Sequence, residues 1–581
     1  MPDQTQKLSL PTRERIKSGP PRNASASRVA RLRLGASLLL YFAAASLSAA
    51  ESRSADVLGN ALEGEFALQG GQLDHAAAAY AQAAMQSGQL DLIERASTVS
   101  LYARDYSAAK RVGQRWVELA PDSVGGRRTL AWAALASADV EAGDRWLAEL
   151  AAIDSLEAQR AIAQVLVAAE NRELAPSSLR HLATAGALRP LEDGPSWSAV
   201  AANLGDYGTA KQLAAAETEA HPKSAEAWRR SAQVMLAAGD SKGAQKSLER
   251  AVDLAPDDFD LRLALASVYA EADRQEQADR VLSQAKPQDE RVFAARLANV
   301  ASKPNGKVLK RIERALKKSK PEQLESRAFL LGQLYELKEE PDQALQWYAQ
   351  EPVGSNAWHE AQLRRSVLLA RDQQDLPGAR KLLAQLRAQT EDSDQRTDAY
   401  LLEAELLAEE DRVAAGAVYD EAIKQNGHDL RLLYARAIFR IGADDVAGLE
   451  ADLRQILALD PDNPQALNAL GYTLADRTDR HQEALGYIQR AIAAQPNDGA
   501  FVDSMGWVQY RLGNLNDALK YLRRAYELVQ DGDVAAHLAE VLWMSDQREE
   551  ARALWREALE RWPESAVLIE SVRRLQPELL P

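Results

Sequence analysis

Apolar residues recur along this chain at helical rather than strand spacing, in short paired stripes separated by polar turns. Between residues 225 and 258, Trp228, Ala232 and Met235 fall on one face of a helix expected over about 228–237. Gly239 and Asp240 break that helix. Ala244, Leu248 and Ala251 then form a second stripe over about 242–253, and Pro256 prevents its continuation. Neither stripe can be buried within one helix, so the two must face each other and stack on neighbours. No run of β-branched residues resembles a sheet, and alanine and leucine dominate, which predicts an all-α fold.

The pair repeats. Gly205 and Gly239, then Ala210, Ala244 and Ala278, then Pro222 and Pro256 are each 34 residues apart, the period of the tetratricopeptide helix-turn-helix unit. The register extends N-terminally through Gly64, Gly71, Ala76 and Tyr80, and C-terminally through Leu331, Gly332, Tyr335 and Ala344. It is strongest at Leu470, Gly471, Ala484, Gly506, Gly513, Ala518, Ala539, Ala551 and Trp555. It predicts a tetratricopeptide solenoid of about twelve or thirteen units, with residues 158–190 degenerate. The expected division is an N-terminal array over 51–285, a basic connecting helical region over 286–325 that separates two sub-superhelices, a C-terminal array over 326–563, and a capping helix and tail over 564–581.

Residues 1–50 differ. Eight basic residues against Asp3 and Glu14 precede an apolar stretch from Leu34 to Leu47 and then Ser48-Ala49-Ala50. That order is a signal peptide or an N-terminal anchor, and the apolar run is short for a membrane span. The expected location is therefore the periplasm of a Gram-negative envelope. The chain has no cysteine, so it cannot carry a lipid-modified one and relies on helix packing instead of disulfides. The net charge of −15 becomes −21 without the first fifty residues, with 62 basic residues against 83 acidic, a surface unsuited to nucleic acid.

Catalytic chemistry is not evident. The seven histidines are scattered without metal-ligand spacing and read as surface residues. No nucleophile elbow, phosphate loop or dinucleotide fingerprint is present, so no enzyme activity, metal or cofactor is expected.

Two surfaces stand out. Lys307, Arg311, Arg314 and Lys318 share one face of a basic amphipathic helix, with Val308, Ile312, Ala315 and Leu316 opposite. It reads either as a dock for an acidic partner or anionic lipid, or as a solvated outer face. In the last units, the inward positions of each first helix select Asn468, Tyr472, Asp503, Trp507, Tyr510, Arg511, Glu540 and Trp543. Large aromatics beside mixed charges suit a peptide in a groove. The other reading has Trp507 and Trp543 packed between helices.

The runs Leu467-Asn468-Ala469-Leu470-Gly471-Tyr472, Asp503-Ser504-Met505-Gly506-Trp507 and Tyr510-Arg511-Leu512-Gly513-Asn514 resemble the C-terminal repeats of proteobacterial periplasmic tetratricopeptide proteins of the LbcA type. Gly64-Glu65-Phe66-Ala67-Leu68-Gln69 is similar to their N-terminal unit. The resemblance implies an adaptor that binds a carboxyl-terminal processing protease and substrates such as cell-wall hydrolases, and it implies no catalytic residue. Such adaptors are lipoproteins, whereas this chain has no cysteine to acylate. Membrane contact is therefore left to an uncleaved N-terminus or, weakly, to the basic helix. An assembly scaffold for exopolysaccharide export, or for pilus or secretion machinery, would use the same repeats.

Overall fold

The computed structural model describes residues 50–580 apart from 170–173, 190–193, 287, 321 and 323. The expected signal or anchor segment therefore lies outside the described residues, save for Ala50 at its end. Among the described residues there are 31 α-helices and no strand, from Ala50–Gln69 to Ala566–Leu575. The described residues form two compact units that divide between Gln288 and Asp289.

The turn chemistry explains the regularity. The helix at Ala225–Ala237 ends when Gly239 adopts a left-handed backbone, φ 71°. Gly239 N then donates to Leu236 O and Asp240 N to Met235 O, at 2.9 and 2.8 Å, closing a Schellman motif. Asp240 at once caps Ser241–Leu254 by accepting from Gly243 N. The same device recurs at Gly205 with Asp206 and at Ala138 with Asp139. Ser224, Asp258, Asn463, Asp498 and Asp531 in turn cap the first helices of their hairpins, and Ser565 caps the closing helix. These repeats therefore carry their own start and stop signals.

Small residues let the paired helices approach. A Cβ on Gly471 would lie 2.5 Å from Ile488 Cγ1 and 3.0 Å from Ala484 O, and one on Gly506 would lie 2.5 Å from Leu522 Cγ. Around these contacts the apolar stripes are sealed, with Leu470, Leu474, Ile488, Val508 and Leu522 all at zero exposure. Burying each such side chain is worth about 1.5–3 kcal/mol.

The two stretches in which the consensus fades are helical as well. Leu156–Ala168 is followed by Leu174–Thr184, and Glu290–Ala301 by Gly306–Lys318. Their packing survives because the apolar positions remain, as with Phe293, Leu297, Val308 and Ile312, although the glycine and alanine landmarks are lost. Ala566–Leu575 closes the array, followed by a 3₁₀ turn at Pro577–Leu579.

Candidate functional site

Within the second unit, the first helices of consecutive hairpins, Pro464–Arg477, Gly499–Arg511 and Gly532–Met544, pack side by side, and the closing helix Ala566–Leu575 packs on the last of them. They line a cavity of about 550 Å³ that reaches back to Ile441 and Leu449. Its middle is built from Tyr472, Asp476, Trp507, Asp533, His537 and Glu540, and at its ends apolar Ile441, Val446 and Val567 stand beside charged Asp444, Asp445, Glu570 and Arg574.

His537 is the hub. Its Nδ1 lies 2.8 Å from Asp503 Oδ2 and its Nε2 lies 3.3 Å from the Tyr472 hydroxyl. Its ring stacks on Trp507, with centroids 4.2 Å apart and planes at 26°. Burial alone would lower its pKa, but the carboxylate of Asp503, aided by Asp476 and Asp533, outweighs burial and raises it. When protonated, the ring donates through Nδ1 to Asp503 and through Nε2 to Tyr472.

Around this hub, Trp507 Nε1 donates to Asp476 Oδ1 at 3.1 Å, and Arg511 donates to the Asp476 carbonyl at 2.9 Å. Tyr510 donates to Glu540 Oε1 at 3.1 Å, and Arg574 donates to the other oxygen of the same carboxylate. Burial and then the Glu540 charge push the Tyr510 hydroxyl up to about 12. Tyr472 is raised as well, by burial first and then by Asp476, Asp503 and Asp533. Both phenols therefore stay neutral, and Tyr510 serves as a donor to Glu540.

Of the eight residues that the repeat register selects, Tyr472, Trp507 and Glu540 line the cavity, and Asp503, Tyr510 and Arg511 brace it through the contacts above. Asn468 is half-buried on the first of these helices and does not line it. Trp543 faces its own hairpin partner: its ring lies 5.8 Å from Trp555, with the guanidinium groups of Arg548 and Arg552 over it at 5.1 and 5.3 Å. This is the packing alternative for that tryptophan. Trp507, 6% exposed, both packs and lines.

His537 corrects the reading of the histidines as surface residues. It is 3% exposed, and His359 is 7% exposed. The signal for His537 was the repeat period: Asp503 and His537 are 34 residues apart, at equivalent places in adjacent first helices. Glu540 and Arg574 have the same offset.

The basic helix Gly306–Lys318 turns Val308, Ile312 and Leu316 into the core at zero exposure. Lys307, Arg314 and Lys318 are exposed and Arg311 is partly so.

In the first unit, Asp144 accepts from Ser178, and His181 Nδ1 lies 2.7 Å from its other oxygen. The hydroxyl donates to the carboxylate, so the imidazole is not its base and the trio does not form an activated nucleophile. Among the described residues, no group of three or more acidic or histidine side chains could hold a metal ion, and no helix is long and apolar enough to cross a membrane.

Comparison with known proteins gives the class. Tetratricopeptide-repeat profiles match residues 235–300 and 450–499. A TPR repeat-containing protein of Pseudomonas aeruginosa is 43% identical over 213 residues, 36% of this chain and 35% of the relative, so the matched stretch spans about a third of that protein. Among solved structures, Naa15/Naa10 bound to HypK is 14% identical over 91% of this chain and 92% of the other, with TM-score 0.45. The Cut9–Hcn1 hetero-tetramer of APC/C is 16% identical over 90% and 96%, with TM-score 0.30. A thermophilic TPR protein of Thermus thermophilus is 24% identical over 32% and 99%, with TM-score 0.28. The fold is a tetratricopeptide-repeat solenoid, an architecture whose stacked helices present protein-interaction surfaces.

Proposed function

We propose that this chain is a non-enzymatic adaptor of the cell envelope, and that the inner face of its C-terminal repeats holds a segment of a partner protein. The observation that carries this reading is the cavity itself. Four successive hairpins and the closing helix contribute to one cleft with apolar and charged side chains at its ends and a braced aromatic and carboxylate middle, as a peptide groove requires.

The partners follow from the resemblance of the C-terminal motifs to LbcA-type adaptors: a carboxyl-terminal processing protease and its cell-wall hydrolase substrates. An array of this length has surface for both, and holding them together raises their effective concentration without chemistry by the scaffold. The basic-then-apolar N-terminus supports export to the periplasm.

Crosslinking in cells followed by purification of the chain and mass spectrometry tests this. Recovery of a periplasmic serine protease together with cell-wall hydrolases is the expected result. Recovery of polysaccharide-export, pilus or secretion components without a protease would replace the adaptor with an assembly scaffold.

A further inference from the structure

We infer that the exposed face of the Gly306–Lys318 helix is a docking surface for an anionic membrane. The helix spans about 20 Å, and its apolar side is consumed by its own repeat, with Val308, Leu309, Ile312 and Leu316 all in the core. It cannot insert. What it offers outward is charge: Lys310, Arg314 and Lys318 are exposed, Lys307 lies on the same side, and Lys303 and Lys320 flank the ends, while Lys317 is paired with Glu313. Lys303, Lys307 and Arg311 also take part in interactions within the chain, so the inference rests on Lys310, Arg314 and Lys318.

The helix carries a single acid, Glu313, and it is already engaged. Lys317 Nζ lies 2.7 Å and Lys338 Nζ 3.3 Å from its two oxygens, and Tyr335 donates to it at 2.7 Å. Its pKa falls to about 2 because these donors and cations outweigh its burial. It stays ionised and paired and does not oppose an approaching anion. Arg327 adds a further cation at the C-terminal end, where it donates to the carbonyl oxygens of Leu316 and Lys317.

The absence of apolar anchors selects the partner. Protein interfaces draw their affinity from buried aromatic and aliphatic side chains, and no large hydrophobic side chain between residues 303 and 320 is exposed. A charged face without anchors suits a surface of lipid phosphates, where each lysine or arginine near the bilayer contributes about 1 kcal/mol, or about five-fold in partitioning. The overall negative charge does not forbid this, because screening confines each field to about 8 Å at physiological ionic strength.

The full chain is mixed with vesicles of phosphatidylglycerol and phosphatidylcholine, or of phosphatidylcholine alone, and its lysines are labelled with an amine reagent and mapped by mass spectrometry. Lys310 and Lys318 should become protected several-fold only with the anionic vesicles, while Lys424 and Lys520 should not change. Combining Lys310→Gln, Arg314→Gln and Lys318→Gln should reduce partitioning by about a hundred-fold, since each charge carries about five-fold. The inference is overturned if the chain fails to bind anionic vesicles. It is equally overturned if the chain binds with Lys310 and Lys318 fully reactive, which would assign the contact to another segment, or if the triple variant binds as the parent does.

Discussion

The imidazole of His537 lies between the Asp503 carboxylate, 2.8 Å from its Nδ1, and the face of the Trp507 indole, 4.2 Å between centroids. Asp503 and Trp507 come from one turn of a first helix, and His537 comes from the next first helix along. The polar middle of the groove is therefore fixed by contacts between repeats rather than within them.

His537 makes the C-terminal repeats sensitive to pH. Its folded pKa is raised above the ordinary 6.5. The stabilisation is complete below about 6.5 and is lost as pH rises through the raised value. The urea midpoint of the wild-type chain should fall over that range, and the difference between wild type and His537→Gln should shrink in parallel. A difference that is constant with pH would mean that the ring is neutral throughout.

Trp507 both packs and lines, so its removal should cost stability. Trp507→Ala should lower the unfolding free energy of the C-terminal repeats by about 3–5 kcal/mol. Trp507→Phe keeps much of the ring contact and loses the bond to Asp476, so it should cost far less. Denaturant titrations of the two variants check this, and equal losses would contradict it.

Two glycines of one hairpin are there for different reasons. Gly506 is helical and pressed against Leu522, whereas Gly513 has φ 85° with open space where a Cβ would stand. Gly506→Asn should therefore destabilise by about 1–3 kcal/mol through overpacking. Gly513→Asn should be almost neutral, because asparagine tolerates the left-handed region. Thermal melts of both variants decide the point, and the reverse order would contradict the assignment.

Glu540, 3% exposed, is held by Tyr510, Ser571 and Arg574. Arg574→Ala should destabilise the wild type more than it destabilises a Glu540→Gln background, where no buried charge is left behind. The coupling should be about 1–2 kcal/mol in a double-mutant cycle. Additive effects would mean that the pair contributes nothing.

The fold was legible because many hairpins carry their own stop and start chemistry, as at Gly239 with Asp240 or Gly205 with Asp206. The small residues Gly471 and Gly506 marked where helices touch. Units without those landmarks, such as Glu290–Ala301 with Gly306–Lys318, were harder to see because apolar positions alone hold them. The groove was legible only in part. Repeat register selects which positions point inward, and it placed Tyr472 and Trp507 together. It does not say which inward side chain turns towards its own hairpin, as Trp543 does towards Trp555. His537 was missed because its meaning lies in a partner 34 residues away.

The most direct test of the groove alters its mouth without touching the buried network. Ile441 is 46% exposed and Val567 is half-buried, and both line the cavity. Ile441→Arg with Val567→Arg should fill the cleft while leaving the helical content and melting of the chain unchanged. Crosslinked purification from cells carrying that variant should then lose at least one protein that the wild type retains. Retention of every wild-type partner by a correctly folded variant would contradict binding in this groove.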